Sequence, residues 1–216
     1  MTLCFPSIFK WEFRKAPEIL VQAYLEEFTS QDNVLLLILT YDTTVLRVAV
    51  PHMEYEYSFK QAEKDRPKMW FSLDKFSDSE ILSLYKSADC FVLPSRGEGW
   101  GRPYVEAMSM ALPVIATNWS GQTEFMNEQN SYLLELEGYD YDQSDALKLH
   151  RLAKPSIAHL KKLMRKVRVL LLLFVHENNS LFVGLQQPRG GQEGWREGEK
   201  RHDRKVSPGN SRGHHY

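Results

Sequence analysis

Apolar and polar positions along this chain fall into blocks whose period changes. Phe5 to Phe9 is a short apolar stretch, and Val34 to Thr40 is continuously apolar, the pattern of a strand covered on both faces. Between them Leu20, Ala23, Tyr24 and Phe28 recur at helical spacing behind Pro17, a residue suited to a first helical turn. Residues 41 to 67 suggest a loop and one helix, and Met69 to Leu73 reads as a strand. Ser77-Asp78-Ser79-Glu80 has capping-box spacing and opens a helix through Ile81, Leu84, Tyr85 and Ala88. Cys90 to Leu93 reads as a buried strand, Pro103 to Met110 as a helix and Pro113 to Ala116 as a strand. Strands alternating with helices of about 10 residues predict βαβ crossovers and a mostly parallel sheet, an α/β, doubly wound domain over residues 1–166.

The pattern changes near residue 167. From Gln186 to Tyr216 only Trp195, Val206 and Tyr216 are apolar or aromatic among 31 residues. Such a segment cannot bury enough surface to offset its ordering entropy. Residues 167–216 are therefore expected to be a disordered tail, or aberrant sequence foreign to the domain. The longest apolar run, Val169 to Val175, has seven residues, against the roughly 20 that a membrane-spanning helix needs. No transmembrane segment is expected, and the first residues do not resemble a signal peptide.

Composition narrows the partners. With 27 basic against 28 acidic residues the net charge is -1, so no global field argues for nucleic acid or an anionic membrane. The tail's seven Lys/Arg against four Asp/Glu do not change that. Cys4 and Cys90 lie far apart, with no second sulfur or His cluster near either, which argues against a disulfide framework or a zinc site. A reducing, cytoplasmic location is the expectation.

The candidate chemistry sits in Pro94-Ser95-Arg96-Gly97-Glu98-Gly99-Trp100-Gly101-Arg102-Pro103-Tyr104-Val105-Glu106-Ala107-Met108, which leaves a buried strand and enters a helix. That is the edge where open α/β sheets bind ligands. Glycines at 97, 99 and 101 let the backbone approach a ligand, and the N–H groups of the helix start favour an anion. Glu98 and Glu106 could each accept two hydrogen bonds from a vicinal diol of a ribose or hexose. Taken singly, an alternating-glycine loop is a common turn and a glutamate in a first helical turn needs no ligand. His150 and His159 read as surface residues on a basic helix without a partner carboxylate.

Together these residues resemble the E-x7-E motif of retaining GT-B glycosyltransferases of the "glycosyl transferases group 1" family. The similarity includes Phe91 to Ser95 before the motif and Leu112 to Thr117, Ser120-Gly121 and Glu124 after it. It runs from about Phe5 to Met164 and is tightest over 91 to 124. It implies a Rossmann-like domain, one half of a GT-B fold, that binds a nucleotide sugar. It further implies that Glu106 holds the nucleotide ribose, that Glu98 contacts donor-sugar hydroxyls, and that Gly99, Trp100 and Gly101 face the sugar. Lys10 and Lys15 match the family's phosphate-binding basic pair, with Arg14 the alternative if the alignment slips by one. No metal or other cofactor is implied. Three positions depart from the pattern: Ala16 and Ala111 stand where glycine is usual, and Gln122 where proline is common, the last expected to matter little.

The resemblance starts near the first strand of the family's C-terminal, donor-binding domain, so the acceptor-binding N-terminal domain is expected to be missing. Two functions remain open. One is hexosyl transfer with retention, of which this chain is the donor-binding half and by itself inactive. The other is a non-catalytic nucleotide-sugar-binding or interaction module.

Overall fold

The computed structural model describes residues 2–40, 62–141 and 150–185, with side chains through residue 175 except Glu63. The expected helix within 41–67 falls mostly outside these residues, as does the tail from Gln186; a 3-10 turn, Glu63–Asp65, precedes the third strand. Residues 1–178 group as one unit and 179–216 as another, and the site lies in the first.

Continuous apolar runs make the sheet. β1 (Leu3–Ile8) and β2 (Val34–Leu39) pair in parallel, Leu3 opposite Val34 and Ile8 opposite Leu39, and β3 (Lys68–Ser72) follows on β2. β4 (Phe91–Leu93), β5 (Val114–Thr117) and β6 (Tyr132–Leu134) form a second parallel set in that order. The sets meet at β1 and β4. Asp89 and Cys90 donate backbone N–H groups to the Cys4 carbonyl at 3.0 and 3.4 Å, and Asp89 Oδ2 accepts from Cys4 N–H at 2.7 Å. No ladder joins β1 to β4 among the described residues, but they lie side by side, so across the two sets the strands run β3-β2-β1-β4-β5-β6 and the winding reverses between β1 and β4. The doubly wound expectation holds, and the reversal marks the crevice where such sheets take ligands.

The helices form where the residue pattern favours them. α1 (Pro17–Glu27) has proline in its first turn and buries Leu20, Ala23 and Tyr24. α2 (Asp78–Ser87) starts on the expected capping box: Ser77 Oγ accepts from Glu80 N–H at 3.4 Å, and Glu80 Oε2 from Ser77 N–H at 2.7 Å. α3 (Arg102–Ser109) leaves the glycine loop. The antiparallel hairpin of β7 (Leu136–Tyr141) and β8 (Arg151–Pro155) and the long α4 (Ile157–Leu185) were not apparent from residue periodicity.

Helix α4 crosses the compositional break at residue 167 without interruption. Val167 is buried in the core, and Arg168 donates to the Asp32 carbonyl at 2.9 and 2.8 Å. Arg165 reaches the Asp32 carboxylate and Glu27 Oε1, the latter at 2.6 Å, while its guanidinium lies over the Phe28 ring. The described helix therefore extends beyond the domain limit expected at 166.

Ala16 and Ala111 adopt left-handed backbone with φ of 52° and 58°. A Cβ there crowds the carbonyl, at about 1–2 kcal/mol per residue. Ala111 is exposed, so replacing it removes no core contact. Ala111→Gly is expected to stabilise the chain by about 1 kcal/mol, read as a higher denaturant midpoint at unchanged slope. Ala16 is fully buried, and there the lost methyl offsets the relief.

Candidate functional site

Two loops leave the sheet at the reversal, one after β1 and one after β4. The first, residues 9–16, carries Lys10, Glu12, Arg14 and Lys15, and the second, residues 94–101, carries Arg96 and Glu98. Arg96 fastens them together. Its N–H donates to the Arg14 carbonyl at 2.7 Å, its Nη1 to the Phe13 carbonyl at 2.7 Å, and its Nη2 pairs with Glu18. Its guanidinium lies 3.9 Å from the centroid of the Phe13 ring. Arg96 is buried and was not singled out by sequence reasoning; its position two residues before Glu98 carried no signal of this role.

The fastened loops bring cations onto Glu98, 83 and 84 residues away along the chain. Lys15 Nζ donates to both carboxylate oxygens, at 2.6 and 2.8 Å. Arg14 Nη1 donates to Glu98 Oε2 at 2.9 Å and to the Gly97 carbonyl at 2.8 Å, and Nη2 to Glu12 Oε1 at 2.7 Å. Burial opposes the Arg14 charge, but the Glu98 and Glu12 carboxylates outweigh it and raise the Arg14 pKa. The Glu98 side chain is 7% exposed and that of Lys15 10%, so the pair is shielded from solvent. Arg14 and Lys15 thus both meet Glu98. Lys10 stands apart, 57% exposed and 3.7 Å from Glu12.

Glu106 projects from α3 into the same crevice. Its Oε2 accepts from the Tyr85 hydroxyl at 3.2 Å, and Arg102 approaches Oε1 at 3.6 Å. Burial and then the facing Glu106 carboxylate push the Tyr85 phenol pKa upward. The phenol therefore stays a neutral donor and orients Glu106. Tyr104, also on α3, ties the start of the helix to the strand: its hydroxyl donates to the Leu93 carbonyl at 2.8 Å.

The glycines differ in what they allow. Gly101 has φ 88° and caps α3; a Cβ there would meet the Tyr104 ring at 2.5 Å. A Cβ on Gly121 would lie 2.2 Å from the Gly99 carbonyl oxygen and 2.8 Å from that of Glu98, because Gly121 N–H bonds the latter carbonyl. A Cβ on Gly99 meets no atom within 4 Å. Trp100 is 53% exposed and leans on Phe125 with ring centroids 5.2 Å apart.

Lys10, Lys15, Glu98, Trp100, Gly101 and Glu106 together line one cleft of ≈ 570 Å³. Three expectations differ from the structure. Gln122 is fully buried and donates to the Thr117 carbonyl at 3.0 Å, so it holds the turn after β5. His159 does have a carboxylate neighbour, Glu135 at 3.7 Å, and its Nδ1 accepts from Glu135 N–H at 3.0 Å. His150 sits before β8, not on a helix, and lines a second cleft beside Glu98. Among the described residues no cluster of three His, Cys, Asp or Glu is placed to hold a metal, and no helix is long and apolar enough to cross a membrane.

Comparison with known proteins agrees with this architecture. Residues 2–152 match the family described as "Glycosyl transferases group 1". A 63-residue segment is 38% identical to the UDP-Gal:alpha-D-GlcNAc-diphosphoundecaprenol alpha-1,3-galactosyltransferase of Escherichia coli, covering 29% of this chain and 16% of that protein. A 68-residue segment is 34% identical to the D-inositol 3-phosphate glycosyltransferase of Paenarthrobacter aurescens (strain TC1), covering 32% and 17%. Among solved structures, WaaG, a glycosyltransferase involved in lipopolysaccharide biosynthesis, superposes with a TM-score of 0.53 at 16% identity, over 78% of this chain and 38% of WaaG. A glycosyltransferase from Rickettsia africae ESF-5 superposes with a TM-score of 0.54 at 17% identity, over 79% and 38%. The chain thus spans well under half the length of each of these proteins.

Proposed function

The chain belongs to the glycosyl transferases group 1 family, and from that premise we propose that it is the nucleotide-sugar-binding half of a retaining hexosyltransferase. The observation that carries this reading is the convergence of Lys15, Arg14 and Glu98 at the sheet's winding reversal, beside the start of α3. Breaking the bond between the anomeric carbon and a nucleoside diphosphate leaves negative charge on the departing oxygen. Lys15 and Arg14, with Lys10 at the rim and the α3 N–H groups, stabilise that charge without a metal. Glu98 then exchanges its cations for hydroxyls of the donor sugar. Glu106, oriented by Tyr85, accepts the ribose diol.

Gly99 lines the neighbouring cleft beside Glu98, and a Cβ there would meet no atom within 4 Å, so the loop is open on that side. In this reading a second domain completes the acceptor site, and the 216-residue chain alone binds donor without turnover because donor and acceptor are not fully oriented together.

The test is a thermal-shift and calorimetric screen of the full chain against UDP-, GDP- and ADP-sugars and the corresponding diphosphates. One diphosphate is expected to bind, and Glu106→Ala should weaken it roughly 10-fold, the worth of a charge-assisted hydrogen bond. Binding of none, or unchanged affinity in Glu106→Ala, would sink the assignment. Robust transfer by the chain alone would overturn its role as a half-site.

A further inference from the structure

The second cleft, of ≈ 610 Å³, lies across the glycine loop from the first, with Gly97, Trp119, Ser120, His150, Arg151 and Leu152 in its walls. The Trp119 and Tyr139 rings stand 4.8 Å apart, and the Arg151 guanidinium lies 4.7 Å from the Tyr139 centroid and 5.9 Å from that of Trp119. Tyr139 is 45% exposed. Aromatic faces suit the apolar C–H face of a pyranose, and an arginine steered by rings presents a planar fork to a carboxylate or phosphate. Arg151 forms no ion pair among the described residues, whereas Glu98 is already matched by Lys15 and Arg14. Among the described residues, Arg151 therefore leaves this cleft a positive charge without a carboxylate opposite it.

We propose that this cleft binds an acidic sugar, a hexose ring bearing a carboxylate or a phosphate, as part of the acceptor; the acceptor role rests on the donor reading above. The two clefts share Arg14 and Glu98 in their walls. Glu98 N–H donates to Ser120 Oγ at 2.8 Å and Gly121 N–H to the Glu98 carbonyl at 3.0 Å, so the backbone at Glu98 is tied to the loop that carries Trp119. The loops after β4 and β5 leave the same sheet edge, so both clefts belong to that edge. A neutral hexose would meet Trp119 but leave Arg151 without a counter-charge, and so binds less tightly.

The full chain, labelled with nitrogen-15, provides the test. The indole N–H signal of Trp119, assigned through Trp119→Phe, is followed during titration with glucuronate, glucose 6-phosphate and glucose. At least one acid should bind at least tenfold more tightly than glucose, and the acid that responds identifies carboxylate or phosphate. Arg151→Gln should abolish that preference, Arg151→Lys should keep part of it, and Glu106→Ala should leave it intact. Equal response to glucose, no response to either acid, or an unchanged Arg151→Gln would overturn the proposal. A nucleotide screen that fails while the acids still bind would overturn the donor reading alone; the converse result would overturn this cleft alone.

Discussion

Lys15→Met is expected to weaken nucleoside diphosphate binding by roughly 10- to 100-fold, the worth of one charge-assisted phosphate contact. The same change should lower stability by about 2 kcal/mol, since it strips one cation from a shielded carboxylate. The side chain of Glu98 is 7% exposed, and Arg14 alone then balances it through a single 2.9 Å contact. The two effects can be separated. In the double variant Lys15→Met/Glu98→Gln the buried charge is gone, so most of the stability should return while the diphosphate affinity stays low. Calorimetry and urea unfolding on the four proteins of the cycle read both quantities. Recovery of binding along with stability would mean that Lys15 serves only to neutralise Glu98 and never meets a phosphate.

Gly121→Ala and Gly99→Ala should fail in opposite ways. At Gly121 the added methyl meets backbone atoms at 2.2, 2.6 and 2.8 Å, and backbone cannot rotate away as a side chain can. The Glu98–Gly99 segment must move, at about 3 kcal/mol of overpacking strain, and donor affinity should drop with it. At Gly99 the methyl meets nothing, so the melting temperature should hold. Sugar-nucleotide binding alone should weaken, with the bare nucleoside diphosphate less affected. Equal loss of stability in both variants would show that the room at Gly99 is not reserved for a ligand.

Residues nominated along the chain for one site do line one cleft, while parts of the fold around it were less legible. Val34–Leu39 is legible because a strand covered on both faces is apolar throughout, and α2 because Ser77 and Glu80 satisfy each other locally. β7 was not legible: Leu-Glu-Gly-Tyr-Asp-Tyr alternates half-buried and exposed positions, includes Gly138, and has few strongly apolar residues. The continuation of α4 was not legible, because the partners of Arg165 and Arg168, Glu27 and Asp32, lie 138 and 136 residues away along the chain. The roles of Arg96 and Gln122 depend on partners 78 and five residues away, and a window along the chain contains no trace of the first. Glu98 and Lys15 could be nominated separately, but nothing in either neighbourhood states that they touch.

That contact spans 83 residues, and Arg96 closes the same distance a second time. Neither loop can assemble the cation–carboxylate cluster by itself, and no fragment ending before residue 98 contains it. In the proposed reading, occupancy by a nucleotide would thus report that β1 and β4 have found each other, which makes the ligand a witness to long-range folding. Because such distant contacts form late, a bound nucleotide should act on the rate at which the finished domain comes apart and leave the rate of its formation nearly untouched.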